Sequence, residues 1–298
     1  MKFARHETFP FREGWMAKVF RKISEGQHDV FTRDDAIEQL GIGSNMVRSL
    51  RFWMQATGLT FENKAIGKGQ YLTNDFGRII FECDRYLELE ASLWLLHYQL
   101  VHNPDWATTW YWFFNVFRHS EFDEEMFLSE LSRWVADQGE DVADGSLKRD
   151  YDCLLNMYAK NDGKNIEPED NTGCPLQELG MIEPLDARSK TYRLTRRNVA
   201  AIPSDIFLYM IVDYVENNGG GRQVSIEELY DTPGSIGRVL ALNYGDTISV
   251  LERLQNEEKL RITRTAGLNQ VALESTHSAS QLLRAYYQAQ SQGDLVHG

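Results

Sequence analysis

Two short stretches of the sequence carry side chains whose types and spacing suit chemistry on nucleic acid. In the first, ARHETFPFREGW at residues 4–15, His6 and Glu7 are adjacent, and an imidazole beside a carboxylate can exchange protons or help to hold a metal ion. Arg5 and Arg12 flank this pair and could instead anchor phosphates, balanced by the neighbouring glutamates on a solvated face. The residues alone leave both interpretations open, with His6 and Glu7 as the catalytic candidates.

The second stretch, SNMVRSLRFWMQATG, predicts a helix over residues 44–57 that follows a Gly-Ile-Gly break and is capped by Ser44. Its apolar residues fall at helical spacing and predict a buried stripe: Met46, Val47, Leu50, Trp53 and Met54. The polar residues are predicted to lie outside that stripe: Asn45, Arg48, Ser49 and Arg51. Because the first turns of a recognition helix meet base edges in the major groove, these side chains suit DNA contact.

The elements around this helix are typical of a winged helix-turn-helix. Thr32 is predicted to cap a preceding helix in RDDAIEQL, and LTFENKAIGKGQYLT at 59–73 predicts a hairpin whose loop carries Lys64 and Lys68. Helix, tight turn, helix and basic hairpin is the order of that motif. We therefore predict a recognition helix at 44–57 and a wing at 62–70, with the wing lysines on phosphates.

The same helix-then-hairpin pattern recurs twice further along the chain. Lys148 and Arg149 lie on the first turn of a helix predicted to be capped by Ser146, and Arg188 and Lys190 lie in a later hairpin loop. We predict a mainly α fold with short antiparallel β-hairpins (α+β) built from tandem winged helix-turn-helix-like units. The predicted domains are an N-terminal winged helix, an aromatic-rich helical core with a second such unit, and a C-terminal unit: residues 1–82, 83–200 and 201–298.

Charge is distributed unevenly along the 298 residues. The net charge of −13 combines +3 over residues 1–70, −14 over 71–180 and −2 over 181–298. Because phosphate contacts supply most sequence-independent affinity, an acidic middle argues against tight DNA binding by the whole molecule but not by a basic N-terminal face. The acidic stretch 121–144 is predicted to point away from DNA, toward a protein partner or solvent.

Other sequence features restrict the remaining classes of protein. No apolar run approaches the roughly 20 residues that span a bilayer, so no membrane partner is expected. The three cysteines are widely spaced, which favours neither a disulfide framework nor a zinc site and fits the cytoplasm. The aromatic run WATTWYWFFNVF at 106–117 favours a core over a base-stacking platform. Glu257 and Lys259 match an E-x-K nuclease element, but this short pattern is common by chance, and the sequence favours an exposed hairpin entry rich in charge.

Six blocks of the sequence resemble the SspB-type proteins of the bacterial Ssp system of DNA phosphorothioation. They are ARHETFPFREGWMAKVF at 4–20, LGIGSNMVRSLRFWMQATGL at 40–59, LTNDFGRIIF at 72–81, LWLLHYQL at 93–100, TTWYWFFN at 108–115 and LKRDYDCLLNMY at 147–158. The resemblance implies work beside a cysteine desulfurase, an ATPase and an ATP pyrophosphatase. It further implies that the protein nicks one DNA strand so that sulfur can enter the backbone.

The predicted function is thus a DNA-binding phosphorothioation component that nicks DNA, with Mg²⁺ or Mn²⁺ as the cofactor if it is a nuclease. The alternative is a non-catalytic winged-helix regulator or adaptor. Double-stranded DNA is the predicted ligand, and a homodimer is left open. The predicted DNA contacts are Arg5, Ser44, Asn45, Arg48, Arg51, Lys64, Lys68, Lys148, Arg149, Arg188 and Lys190.

Overall fold

The chain divides into two units in the computed structural model. The first comprises residues 1–113 and 117–197, and the second comprises 114–116 and 198–298. The structure describes residues 1–63, 65, 69–73, 75–160, 173–186, 190–196, 198–265 and 268–297. The predicted DNA contacts Lys64, Lys68 and Arg188 lie outside the described residues. The predicted division into three domains stays a prediction.

The first unit is mostly helical. Its helices are α1 (Trp15–Ser24), α2 (Ala36–Leu40), α3 (Ser44–Ala56), α4 (Phe76–Cys83), α5 (Glu90–Val101), α6 (Thr108–Asn115, whose last two residues belong to the second unit), α7 (Glu124–Asp137) and α8 (Asp144–Tyr158). Its strands are β1 (Thr60–Glu62), β2 (Gln70–Leu72), β3 (Glu121–Phe122), β4 (Ile182–Asp186) and β5 (Thr191–Leu194). β1 pairs antiparallel with β2, and β5 lies between β3 and β4 in a second antiparallel sheet.

The second unit repeats the mixture of helices with a small sheet. Its helices are α9 (Ser204–Asn217), α10 (Ile226–Asp231), α11 (Ile236–Val239), α12 (Tyr244–Asn256) and α13 (Ala279–His297). Its strands are β6 (Gln223–Ser225), β7 (Leu260–Thr265) and β8 (Leu268–Leu273), in the antiparallel order β6-β8-β7. Helices joined to short antiparallel sheets confirm the predicted α+β fold class, and the tandem winged helix-turn-helix-like units stay a prediction. Among the described helices, none has the length and apolarity needed to cross a bilayer.

The turn between α2 and α3 follows from its glycines. Gly41 ends α2 with φ of 62°, a left-handed conformation that costs glycine little. The α2–α3 pair then buries a small apolar cluster of Val30, Ala36, Leu40 and Val47. Gly77 of α4 lies against the residue that precedes the β1–β2 hairpin: a Cβ on Gly77 would lie 2.0 Å from the Leu59 carbonyl oxygen. Only glycine fits there.

Several predicted details at helix starts were wrong. α2 begins at Ala36, and the Thr32 hydroxyl donates to the Asp29 carbonyl instead of capping a helix. The N-caps of α3 and α8 are Gly43 and Ala143 rather than Ser44 and Ser146. α2 begins four residues after Thr32, α3 begins at Ser44 itself, and α8 begins two residues before Ser146.

The aromatic run at 106–117 forms a core, as predicted. Trp110, Trp112 and Phe113 are at most 1% exposed. Phe113 packs edge-on against Phe122 at a centroid distance of 5.1 Å, and Trp112 packs in the same way against Phe127. These rings join α6 to β3 and α7 within the first unit, which leaves them unavailable to stack on bases.

A buried carboxylate ties the N-terminal segment, defined here as residues 1–14, to α8. Asp150 is fully buried and accepts hydrogen bonds from the Ala4 amide at 2.7 Å and the Thr109 hydroxyl at 2.6 Å. It also contacts Nε2 of His6 at 2.9 Å. An isolated carboxylate is costly to bury, so these three partners are what makes the position tolerable. The N-terminal segment is thereby held against the helices although it forms no helix or strand itself.

We predict that Asp150→Ala lowers the free energy of unfolding by about 2–4 kcal/mol, because it leaves several buried donors without an acceptor. Asp152→Ala is the matched control on the same helix, since that side chain is half exposed and pairs with the partly exposed Lys148; its cost should stay within about 1 kcal/mol. Urea titration followed by circular dichroism measures both values. Equal costs for the two variants would contradict this account of Asp150.

Candidate nucleic-acid interface

Four basic side chains surround one concave surface beside α3, here called the α3 cleft. It has a volume of about 340 Å³. The lining residues are Lys2, Arg5, Glu7, Arg48, Arg51, Phe52, Gln55, Glu62 and Trp106. Three of the predicted DNA contacts, Arg5, Arg48 and Arg51, therefore share one surface with Lys2, in a protein whose net charge is −13.

Lys2 enters the cleft because its backbone is anchored. Its amide donates to the Thr108 hydroxyl at 2.9 Å, and its ammonium lies over the Trp106 ring, 2.9 Å from the centroid. Partial burial and the charge of Arg5 lower the pKa of Lys2 below its ordinary value. A cation over an indole face is attracted by the ring quadrupole. Trp106 thus holds this ammonium at the edge of the cleft.

The two arginines of α3 are held by carboxylates. Arg48 Nε donates to Glu7 Oε1 at 3.1 Å, and the same guanidinium bonds to the Asn45 side chain. Arg51 donates from Nε to Glu62 Oε1 at 2.7 Å. Glu62 also accepts from the side-chain amides of Gln55 and Gln70. Both guanidinium groups are therefore oriented by partners on other elements before any ligand arrives.

These ion pairs remain open to exchange. The Arg48 side chain is 58% exposed and its partner Glu7 is 37% exposed. Exposed pairs of this kind contribute about 0–1 kcal/mol, because water already solvates both charges. A phosphate oxygen offers a guanidinium the same acceptor chemistry as a carboxylate oxygen. An incoming phosphate can thus replace Glu7 or Glu62 at little cost.

His6 lies in the interior rather than on the cleft. The side chain is buried, stacked on Trp53 at 5.9 Å and edge-on to Trp110 at 5.7 Å. The Thr8 amide donates to Nδ1, so the proton of a neutral ring lies on Nε2, where it is donated to Asp150. Both ring nitrogens already have partners, and a catalytic role for His6 stays a prediction. Glu7, the predicted partner of His6, instead forms an ion pair with Arg48.

The N-terminal segment also corrects the predicted faces of α3. Ser49 was expected outside the buried stripe, but it is fully buried and its hydroxyl donates to the Phe9 carbonyl at 2.9 Å. The Trp53 indole N–H donates to the same carbonyl at 2.8 Å. Residues 1–14 thus cover a face of α3 that helical spacing alone assigns to solvent.

The remaining predicted contacts lie elsewhere. Ser44 and Asn45 are exposed on the first turn of α3. Lys148, Arg149 and Lys190 do not line the α3 cleft. Lys148 is bound by Glu124 and Asp152; although partial burial alone would lower its pKa, these two hydrogen bonds raise it. Arg149 donates to Ser146, and Lys190 is exposed just before β5.

The predicted metal chemistry finds no ready-made site in the part of the chain that the structure describes, where no three His, Cys, Asp or Glu side chains converge. Glu257 and Lys259 of the E-x-K element form an ion pair at 2.7 Å, and Lys259 also pairs with Asp205. Hydrogen bonds from Lys259 and Ser204 lower the pKa of Glu257. We therefore assign no metal ligand.

Lys2 and Trp106 were missed at the sequence level. Lys2 stands three residues before Arg5, and that spacing was the available signal for a basic N-terminal face. Trp106 stands at the start of an aromatic run that otherwise packs into the core. Their contact spans 104 positions in the sequence, which no local pattern reveals.

Comparison with known proteins identifies related sequences and folds. The family model described as "Protein of unknown function (DUF4007)" matches residues 3–287. A solved structure described as magnesium ion-bound SspB matches with a TM-score of 0.83 and 28% identity, covering 96% of this chain and 88% of that one. A second SspB crystal structure matches with a TM-score of 0.80 and 28% identity, covering 97% and 87%. The resemblance to SspB-type proteins is confirmed. No curated protein matches the chain significantly.

Proposed function

We propose that this chain, which belongs to the DUF4007 family, is the DNA-binding component of a phosphorothioate modification system and nicks one DNA strand there. Its similarity to SspB over nearly the whole chain suggests a component of such a system. DNA binding and nicking are the further steps of the proposal. The observation that carries DNA binding is the α3 cleft, where four cations meet on an acidic protein. Nicking is proposed from the resemblance of the sequence blocks to the SspB-type proteins.

The α3 cleft supports a specific way of contacting duplex DNA. Ser44, Asn45 and Arg48 on the first turns of α3 would face base edges in the major groove, as in other recognition helices. Arg5, Arg51 and Lys2 would meet phosphates. Lys64 and Lys68, predicted on the wing, would add phosphate contacts. The winged helix-turn-helix is part of this proposal, since α2, α3 and the β1–β2 hairpin follow in the order that the motif requires.

Binding by this surface would exchange one anion for another. Arg48 would leave Glu7, and Arg51 would leave Glu62, each for a phosphate oxygen. Because the carboxylates of Glu7 and Glu62 remain nearby, they would repel the phosphates of any DNA backbone that fits the surface poorly. Affinity for duplex DNA would then be moderate and steeply dependent on salt.

Strand nicking would hydrolyse one phosphodiester, with water adding to phosphorus as one P–O bond breaks and the leaving oxygen takes a proton. A divalent metal, Mg²⁺ or Mn²⁺, is proposed as the cofactor if this reaction occurs. The double occupancy of the His6 nitrogens favours the second candidate function, a non-catalytic adaptor or regulator. The proposed protein partners are the cysteine desulfurase, the ATPase and the ATP pyrophosphatase, in the cytoplasm; a homodimer stays a prediction.

We predict that Arg51→Ala and Arg5→Ala weaken binding to every duplex sequence and lower the slope of log affinity against log salt by about 0.9 each, because each removes a phosphate contact. Arg48→Ala should cost about 1–3 kcal/mol on a preferred site if its guanidinium reads guanine. Fluorescence anisotropy with labelled duplexes at several salt concentrations measures these changes. Arg133→Ala on α7, where the side chain is 66% exposed, is the control.

The Lys64→Ala and Lys68→Ala variants extend the same measurement to the predicted wing. If all five variants bind like Arg133→Ala, the α3 cleft is not the DNA surface. Glu62→Gln provides the opposite test, since it weakens the hold on Arg51 and should strengthen duplex binding.

We predict that the protein converts supercoiled plasmid to the open-circular form in the presence of Mg²⁺ or Mn²⁺, and that EDTA abolishes the reaction. Agarose electrophoresis separates the two forms. The control is the Arg5→Ala, Arg51→Ala double variant, which should nick less because it binds less. Retarded but intact plasmid with either metal would reject nicking and leave the adaptor function.

A further inference from the structure

A second basic surface lies along α1, here called the α1 groove. Two adjoining cavities of about 300 and 380 Å³ share Gly14, Ala17, Arg85 and Tyr86. The smaller cavity is lined by Gly14, Ala17, Lys18, Arg21, Ser24, Arg85 and Tyr86. It thus combines three cations with no carboxylate, although the chain as a whole carries more acidic than basic residues.

The turn that carries Arg85 and Tyr86 is held rigidly. Asp84 is buried, and its carboxylate accepts from the amides of Glu88 at 2.9 Å and Leu89 at 3.1 Å. It also accepts from the Ser92 hydroxyl at 2.5 Å, which fixes the turn to α5. Leu87 adopts φ of 59°, an uncommon conformation for a residue with a side chain. A turn fixed in this way presents its two outward side chains in a defined position.

The cations of the α1 groove are available to an anion. Within the described residues, neither Arg21 nor Arg85 forms an ion pair with a carboxylate. The Arg85 guanidinium instead lies 5.0 Å from the centroid of the Phe81 ring, which orients it without neutralising it. Lys18 donates to the Leu40 carbonyl at 2.9 Å, a neutral acceptor. Three positive charges therefore converge with no negative charge in the smaller cavity.

An exposed aromatic ring stands beside these cations. Tyr86 is 63% exposed, the highest value among the large apolar and aromatic side chains that are exposed in the described residues. Exposing a ring to water has a cost, and unpaired bases stack on aromatic rings that lie beside a positively charged groove. The larger cavity adds Glu13, Glu178 and Gln177, whose oxygens can accept from the amino groups of bases.

We propose that the α1 groove binds single-stranded DNA, with phosphates at Lys18, Arg21 and Arg85 and a base stacked on Tyr86. Duplex DNA does not fit this groove, because its bases are already stacked inside the double helix and cannot stack on the Tyr86 ring. The site is distinct from the α3 cleft, with which it shares no lining residue. It therefore goes beyond the proposed function and does not depend on duplex binding or on nicking.

The test is fluorescence anisotropy with a labelled mixed-sequence oligonucleotide of about ten nucleotides, within the range that single-strand sites occupy. Tyr86→Ala should weaken binding about tenfold, and Tyr86→Phe should retain it, because phenylalanine preserves the stacking face. Arg21→Ala and Arg85→Ala should each lower the salt slope by about 0.7. Tyr244→Ala, at an exposed tyrosine of the second unit, is the matched control and should bind like the unmodified protein.

Circular dichroism will check that each variant is folded. We expect the Tyr86 variants to fold, because this side chain is exposed. The proposal is overturned if the unmodified protein fails to bind the oligonucleotide, or if Tyr86→Ala binds as tightly as Tyr86→Phe. It is also overturned if Arg5→Ala and Arg51→Ala remove oligonucleotide binding while Tyr86→Ala does not, since the strand then occupies the α3 cleft. Loss of duplex binding with retained Tyr86-dependent binding of the oligonucleotide rejects the proposed function alone.

Discussion

The buried carboxylate of Asp150 is the constraint on which the α3 cleft depends. It gathers the Ala4 amide, the His6 ring and the Thr109 hydroxyl, and a charge in that position is tolerable only while those donors stay in place. The N-terminal segment forms no helix or strand, so this carboxylate, together with the bonds from Ser49 and Trp53 to the Phe9 carbonyl, sets its path. The path in turn brings Lys2, Arg5 and Glu7 beside α3.

The electrostatics of the cleft reconcile an acidic protein with an anionic ligand. Four basic side chains meet on this surface, and Glu7 and Glu62 hold two of them in position when no ligand is bound. Such exposed pairs stabilise the fold by little, and they cost little to exchange for phosphates. Orientation of the arginines before binding reduces the entropy that a ligand must remove. The proposed reversible binding of DNA is thus compatible with an acidic net charge when the negative segments face away from the duplex.

Local sequence patterns predicted the elements of the cleft but not its assembly. Helical spacing predicted α3, and the glycines at 41 and 43 predicted the turn that separates it from α2. The density of aromatic residues around Trp110 indicated a core. The same spacing placed Ser49 in solvent, because periodicity cannot register a covering segment from 40 residues away. The contact between His6 and Asp150 spans 144 residues. The sequence therefore indicated His6 as a candidate acid or base, whereas in the structure its partners lie in the interior. Long-range contacts of this kind can be identified in the folded structure but not from local sequence patterns.

The central claim is that duplex DNA lies on the N-terminal segment and α3. Photo-crosslinking to a duplex substituted with bromodeoxyuridine, followed by mass spectrometry of the peptides, tests it without altering the protein. We expect crosslinked peptides from residues 1–14 and 44–56, with none from the acidic helix α7. Crosslinks confined to α7 or to the second unit would contradict the claim, because they would put the DNA against a different surface.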